Sequence, residues 1–290
     1  MAATAEQDSL DIIALDAPFG AEIAGVDLGA APDAGQCAAI RRAFLDRQVL
    51  VFRGQHLEKP AQIRFTEQFG ALELPLNRDY RGADYPALHV VTNLDADGRL
   101  KDRKVLANPG NYFWHTDASY MQRPAMATLL YAIQVPPEGG DTAFANLCLA
   151  YEALPAQMKA RIDGMKAVHS WAQSRINSGS RPATEEENRN APPVAHPLVR
   201  THPETGRKGL YLGNHTSHIE GLPVAEGRAL LADLLAHATD QHFVYRHRWR
   251  PGDLVMWDNR CLVHRASDDF DFTAHPRVLH RTVLQGTVPV

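Results

Sequence analysis

The sequence predicts a mainly β protein, a jelly-roll barrel with a few helices packed outside it. Three observations carry this. Short apolar or alternating runs recur: Val49-Leu-Val-Phe52, Ala127-Thr-Leu-Leu-Tyr-Ala-Ile-Gln134 and Leu254-Val-Met-Trp-Asp258 have the length and composition of strands. Pro/Gly turns punctuate them, at Pro136-Pro-Glu-Gly-Gly140 and Pro251-Gly-Asp253. Helical spacing is confined to a few stretches.

The elements follow in order. Ile12 to Leu28 reads as strand, turn at Pro18-Phe-Gly20, and strand. Pro32-Asp33 opens a helix carrying Ile40, Ala43 and Phe44. Val49–Phe52 is a buried strand closed by Arg53-Gly54. Lys59-Pro60 starts a helix with Ile63, Phe65, Phe69 and Leu72, ended by Gly70; this aromatic stripe is core packing. Residues 75–110 are irregular around a strand at His89-Val-Val-Thr-Asn93. A strand is expected at Asn111–Tyr120, then at Ala127–Gln134 and from Asp141 to Phe144. Leu149–Gly164 reads as one helix. Residues 172–196 are polar and weakly periodic, either a disordered surface loop or a mobile lid. Pro197–His202 and Lys208–Leu212 form strand, turn, strand, and Val224–Thr239 is an amphipathic helix after Pro223. Phe243–Trp249, Leu254–Asp258, Asn259–His264 and Val278–Leu284 complete the β-structure. No internal repeat or domain boundary is visible, so residues 1–290 are expected to form one domain, with a lid or loop insert near 172–196.

Composition narrows the function classes. A formal net charge of −4 gives no reason to expect nucleic acid or a membrane. The one dense basic run, Arg246-His-Arg-Trp-Arg250, alternates beside a turn and reads as a solvated strand face. Cys37, Cys148 and Cys261 are far apart and lack C-x-x-C spacing, which argues against a disulfide framework and fits a reducing cytoplasm. The N-terminus shows no basic and apolar signal pattern, and no apolar run is long enough to span a bilayer.

The chemistry centres on Asn111-Tyr-Phe-Trp-His-Thr-Asp-Ala-Ser-Tyr120. Residues i and i+2 of a strand share a face, so His115 and Asp117 would converge on one point. Two ligands do not make a tight site. His264, at the end of Trp257-Asp-Asn-Arg-Cys-Leu-Val-His264, can supply a third. Two histidines and one carboxylate form a facial triad with open positions, which suits iron(II); catalytic zinc usually keeps a single open position. Arg277 and Arg281 are four apart in a strand and share a face, and a guanidinium binds a carboxylate through two parallel hydrogen bonds. Thr142, after Gly139-Gly140, can donate a hydroxyl to the same anion. A metal with open positions beside a carboxylate receptor is what a 2-oxo acid cosubstrate requires. Taken singly, either arginine could be a surface ion-pair partner and Thr142 a turn residue.

Trp114-His-Thr-Asp117, Pro136-Pro-Glu-Gly-Gly-Asp-Thr142, Trp257–Arg265 and Arg277-Val-Leu-His-Arg281 together resemble the taurine dioxygenase family of iron(II)/2-oxoglutarate enzymes. Within it the chain is most similar to the 2,4-dichlorophenoxyacetate dioxygenases, notably through Gly206–Gly227 and Tyr245–Trp249. The resemblance implies a double-stranded β-helix (cupin-like), with iron on His115, Asp117 and His264. It implies that Thr142 and Arg277 bind 2-oxoglutarate and that Arg281 lies near the substrate anion. It further implies O2 as cosubstrate and hydroxylation of an aryloxyacetate next to its ether oxygen, giving a phenol, glyoxylate, succinate and CO2. Ser119, Asn93, Trp171, His215 and Arg78 are candidate pocket residues, and Trp171 and His215 could equally pack a core. Asp268–Pro276 is longer than the matching stretch of the phenoxyacetate enzymes and is expected to be a loop insertion. The same chemistry on taurine or another alkyl sulfonate, a zinc hydrolase, and a non-catalytic acid-binding barrel are the competing readings. The last two leave Arg277, Thr142 or the complete triad unexplained. Oligomeric state stays open.

Overall fold

A computed structural model describes residues 10–75, 84–102 and 109–290. Its centre is a sheet of seven strands in the order β1-β2-β3-β13-β5-β15-β4. These are β1 (Asp11–Ala14), β2 (Ala21–Ala24), β3 (Val49–Phe52), β4 (His89–Thr92), β5 (Ala125–Gln134), β13 (Leu254–Asp258) and β15 (Val278–Gln285). All pairings are antiparallel except β2 with β3. A smaller sheet, β12-β6-β14, is built from β12 (Val244–His247), β6 (Thr142–Asn146) and β14 (Leu262–Ala266). A jelly roll of this kind is the architecture the strand pattern predicts.

Alternation within the strands explains how the layers hold. Leu50 and Phe52 of β3 and Leu254 and Met256 of β13 point to one face of the large sheet. There they meet Ile40 and Phe44 of α1 (Ala34–Arg47) and Phe65 of α2 (Lys59–Glu67). The intervening Val49, Val51, Val255 and Trp257 point inward and pack with Phe144, Leu262 and Trp249. Both faces of β3 and β13 are covered, which is why these runs are continuously apolar. A third core lies under α3 (Leu147–Ala153) and α7 (Val224–Ala238), where Leu147, Leu230 and Leu234 meet Val263. Asp33 caps α1 through a reciprocal bond pair with Gln36, as its Pro-Asp start suggested.

The structure departs from the sequence reading in five places. The 149–164 helix is two helices, α3 and α4 (Ala156–Ile162), because Pro155 forces Leu154 into an extended conformation (ψ 143°). Helix α2 stops at Glu67, so Phe69 and Leu72 lie beyond it, and Leu72 bridges Leu284 instead. Residues 111–120 form no strand: His115 makes one bridge to His264, and a turn begins at Asp117, with Ala118 at φ 53°. Within 172–196 the chain forms α5 (Trp171–Asn177), α6 (Glu185–Asn190) and β8 (Val194–Pro197). Ser170 caps α5, and Thr184 and Glu187 cap α6 reciprocally. β8 joins β7 (Lys166–His169) and β11 (Thr216–Ile219), strands absent from the sequence reading, in a third sheet. β9 (Val199–Thr201) pairs with β10 (Lys208–Leu210) as expected. No helix among the described residues is long and apolar enough to cross a membrane.

Candidate active site

His115 and His264 are brought together by reciprocal backbone bonds, His115 N–H to His264 O at 3.0 Å and His264 N–H to His115 O at 2.8 Å. Their rings lie 4.2 Å apart, centroid to centroid. Gly213 (φ 141°) permits this approach: a Cβ there would sit 3.0 Å from the Trp114 carbonyl and 3.3 Å from His115 Cα. The turn after Thr116 then swings Asp117 in, so that its Oδ1 is 3.8 Å from His115 Nε2 and its Oδ2 is 3.8 Å from His264 Nε2. One donor atom from each of the three residues lies within 4.8 Å of the others. The sequence thus anticipated the convergence, although a turn delivers it and not a strand.

The protonation states suit a cation. Burial disfavours charge on both imidazoles and holds them below the ordinary histidine range. Burial also opposes ionisation of Asp117, but Arg281, the two histidines and a Thr128 hydrogen bond outweigh it and keep the carboxylate ionised. The set therefore offers two neutral nitrogens and one anion, which fits a divalent ion of the iron(II) kind. Its orientation is fixed from behind. Thr128 Oγ1 donates to Asp117 Oδ2 at 2.6 Å, and Asn259 Nδ2 donates to Thr128 at 2.9 Å. The Asp117 N–H and the Trp257 indole N–H both donate to Asn259 Oδ1. His115 Nδ1 lies 2.8 Å from the Phe113 carbonyl, which fixes its tautomer with Nε2 free for a metal.

One cavity joins this triad to Thr142 and Arg277. Arg277 Nε donates to Gly140 O at 3.1 Å, and no carboxylate among the described residues pairs with its terminal nitrogens. Burial pushes the Arg277 guanidinium down to about 10, so an incoming anion would be strongly favoured. Thr142 Oγ1 accepts from the Trp249 indole at 3.0 Å, which leaves its own proton to donate. Gly139 (φ 74°) is required in the turn before Thr142, because a Cβ there would clash with the Asp269 carbonyl. The 268–276 stretch is a loop, as expected, but an anchored one: Asp269 accepts from the Gly140 N–H and pairs with Arg246, while Phe270 and Phe272 stack beneath it. Arg246 of the basic run is thus engaged, pairing with Asp141 as well, and His247 is buried against Asp253.

A second cavity opens on the other side of His115 and Asp117. Arg281, Trp171 and His215 line it, as the sequence suggested. Arg281 also donates to Asp117 Oδ1 at 2.6 Å, so it steadies the carboxylate ligand while facing the cavity. Two candidates fall elsewhere. Asn93 lines neither cavity; its amide is committed to the carbonyls of Phe272 and His275 and to the Arg277 N–H, so it positions Arg277. Ser119 is buried behind His215, its hydroxyl bridging His215 Nδ1 at 3.0 Å and His169 Nδ1 at 3.1 Å. A substrate contact for Ser119 would need a strand through Asp117, and the turn with Ala118 at φ 53° sends its side chain away from the cavity instead. Arg78 lies outside the described residues. Glu73, His89, Tyr120 and Arg175 line the second cavity and were not anticipated; they come from four separate segments with no shared motif. Arg175 stacks over the Trp171 ring, so the polar 172–196 stretch contributes a wall of the cavity.

Residues 11–283 match the taurine catabolism dioxygenase TauD, TfdA family. The chain is 43% identical over 276 residues to the alpha-ketoglutarate-dependent 2,4-dichlorophenoxyacetate dioxygenase of Cupriavidus pinatubonensis, covering 93% of this chain and 96% of that one. It is 38% identical over 289 residues to the (S)-phenoxypropionate/alpha-ketoglutarate-dioxygenase of Sphingobium herbicidovorans, covering 96% of each chain. The crystal structure of AAD-2 in complex with Mn(II) and N-oxalylglycine superposes with a TM-score of 0.87 at 38% identity, over 97% of this chain and 98% of that one.

Proposed function

The chain belongs to the TauD, TfdA family and is a 2-oxoglutarate-dependent dioxygenase using iron(II) and O2, and on that premise we propose that its substrate is an aryloxyacetate. Oxidation falls on the carbon next to the ether oxygen. The observation that carries the reading is the pair of cavities meeting at His115 and Asp117: Arg277 lines only the first, while Arg281 stands where the two meet and lines both. One arginine suits the cosubstrate and the other an organic acid.

His115, Asp117 and His264 would hold the iron. When bound, iron(II) with 2-oxoglutarate and O2 supplies a two-electron oxidation that places one oxygen atom on a substrate C–H carbon and leaves succinate and CO2. The residues of the chain do the rest. The terminal nitrogens of Arg277 donate to the distal carboxylate of 2-oxoglutarate, and Thr142 adds its hydroxyl proton. Arg281 keeps Asp117 ionised and offers its remaining N–H groups to the substrate carboxylate. Tyr120 and Trp171, whose rings lie 4.9 Å apart, give the aryl group an aromatic wall. His215 lines the same cavity and is held in place by Ser119. An aryloxyacetate hydroxylated at this carbon is a hemiacetal, which releases the phenol and leaves glyoxylate. The two relatives named above, both acting by name on aryloxy acids, support this class over an alkyl sulfonate.

The test is succinate formation from 2-oxoglutarate with iron(II), compared across phenoxyacetates, 2-phenoxypropionates and taurine. Phenoxyacetates should give the highest kcat/KM, with phenol and succinate formed in equal amounts. Taurine as the best substrate, or no turnover of any aryloxyacetate, would refute the reading.

A further inference from the structure

The second cavity also contains a carboxylate, that of Glu73, with no part in holding iron, 2-oxoglutarate or the anionic end of the substrate. Beyond α2 the chain runs along the end of β15: Leu72 bridges Leu284, the Gln285 N–H donates to Ala71 O, and the Glu73 N–H donates to Val283 O at 2.8 Å. In an antiparallel pairing, opposed residues and those two further along share a face. Glu73 therefore stands on the face of Val283 and Arg281, and all three line the cavity. Glu73 is half-buried, and its carboxylate makes no hydrogen bond or ion pair among the described residues. Arg281 is committed to Asp117 and leaves it unpaired. Burial pushes the Glu73 carboxyl up to about 7, with Arg281 acting in the opposite sense. Water can serve such a group while the cavity is open. A bound ligand that displaces the water must either supply a donor or strand the carboxyl at a cost.

We propose that Glu73 is a specificity-determining residue that selects aryloxyacetates carrying a hydrogen-bond donor, a hydroxyl or amino group, on the ring over rings carrying only halogens. Arg281 takes the anionic end and Glu73 the donor, so the two residues sort acids by a second polar group. The inference rests on the aryloxyacetate reading of the site. A ligand that covers the half-buried Glu73 carboxyl completes its burial, and a site that then needs a donor rejects an analogue lacking it more strongly than an apolar pocket rejects a change of size. A hydrogen bond to a carboxylate corresponds to about 10- to 100-fold in kcat/KM.

The experiment compares kcat/KM for 2-, 3- and 4-hydroxyphenoxyacetate with the matching chlorophenoxyacetates, in the wild type, Glu73→Gln and Glu73→Leu. The hydroxyl compound should be preferred about 10-fold or more at one ring position in the wild type. In Glu73→Leu the preference should vanish or reverse, because chlorophenoxyacetate turnover rises as hydroxyphenoxyacetate turnover falls. Glu73→Gln keeps one acceptor and should lie between; it also carries the comparison if Glu73→Leu does not fold. A hydroxyl-to-chloro ratio that is the same in wild type and variant, with both activities lowered together, would mean a merely structural role and overturn the proposal. No turnover of any aryloxyacetate by the wild type would refute the substrate reading itself, and this inference with it.

Discussion

Replacing Arg277 with lysine isolates the residue proposed to hold the 2-oxoglutarate carboxylate. The backbone at this position is fixed independently of the guanidinium, since the Arg277 N–H donates to Asn93 Oδ1 at 2.7 Å. The side chain spends Nε on Gly140 O and leaves its terminal nitrogens for an anion. Lysine keeps the positive charge but presents a single ammonium, so one of two parallel hydrogen bonds is lost. A hydrogen bond to a charged group contributes about 1.5–3 kcal/mol, which is about 10- to 100-fold in affinity. Steady-state succinate formation at saturating organic acid should therefore show the KM for 2-oxoglutarate raised by about that factor. The KM for the organic acid should stay near its wild-type value. An unchanged KM for 2-oxoglutarate, or a rise confined to the organic acid, would refute the assignment of the two cavities.

Two further outcomes follow from the same contacts. Thr142→Val keeps the shape but removes the hydroxyl that accepts from Trp249, so KM for 2-oxoglutarate should rise by about 5- to 20-fold and denaturant stability should fall by about 1–2 kcal/mol. Asp258 is buried and bonded to Arg260 and His202; burial opposes its ionisation, but these partners hold its carboxyl well below the ordinary range. Because the folded value is depressed, the stability it contributes is fully present above its unfolded value of about 4 and is lost as pH falls from there through the folded value. Asp258→Asn should cost about 3–5 kcal/mol near neutral pH and flatten the acid limb of a denaturation-against-pH curve; an unchanged acid limb would remove Asp258 from the account.

The sequence was most legible where chemistry and periodicity coincide. β3, β5, β13 and β15 announce themselves because alternate residues must fill two different cores. His115, Asp117, His264, Thr142 and Arg277 were nameable because an ordered set of ligand and anion-binding types is rare by chance, and the structure gathers them around one cavity. What could not be read depends on long-range geometry. The turn at Ala118 sends Ser119 behind the site rather than into it, and no local signal separates that turn from a strand end. Asn93 looks like a pocket residue until its amide is seen holding the 272–277 chain. Glu73 enters the cavity only because residues 71–73 run beside β15, more than two hundred positions away in sequence. Helices α5 and α6 were hidden by polar composition, since their stability comes from caps and the Arg181–Glu187 pair more than from an apolar stripe.

His115, Asp117 and His264 are proposed to hold the iron of this 2-oxoglutarate-dependent oxygenase. Anaerobic iron(II) binding measured by equilibrium dialysis tests it directly, in the wild type and in His264→Ala, with folding followed by circular dichroism. The wild type should bind one iron(II) per chain, and the folded variant should bind it about 100-fold more weakly. A folded His264→Ala protein that retains wild-type iron affinity would place the iron elsewhere.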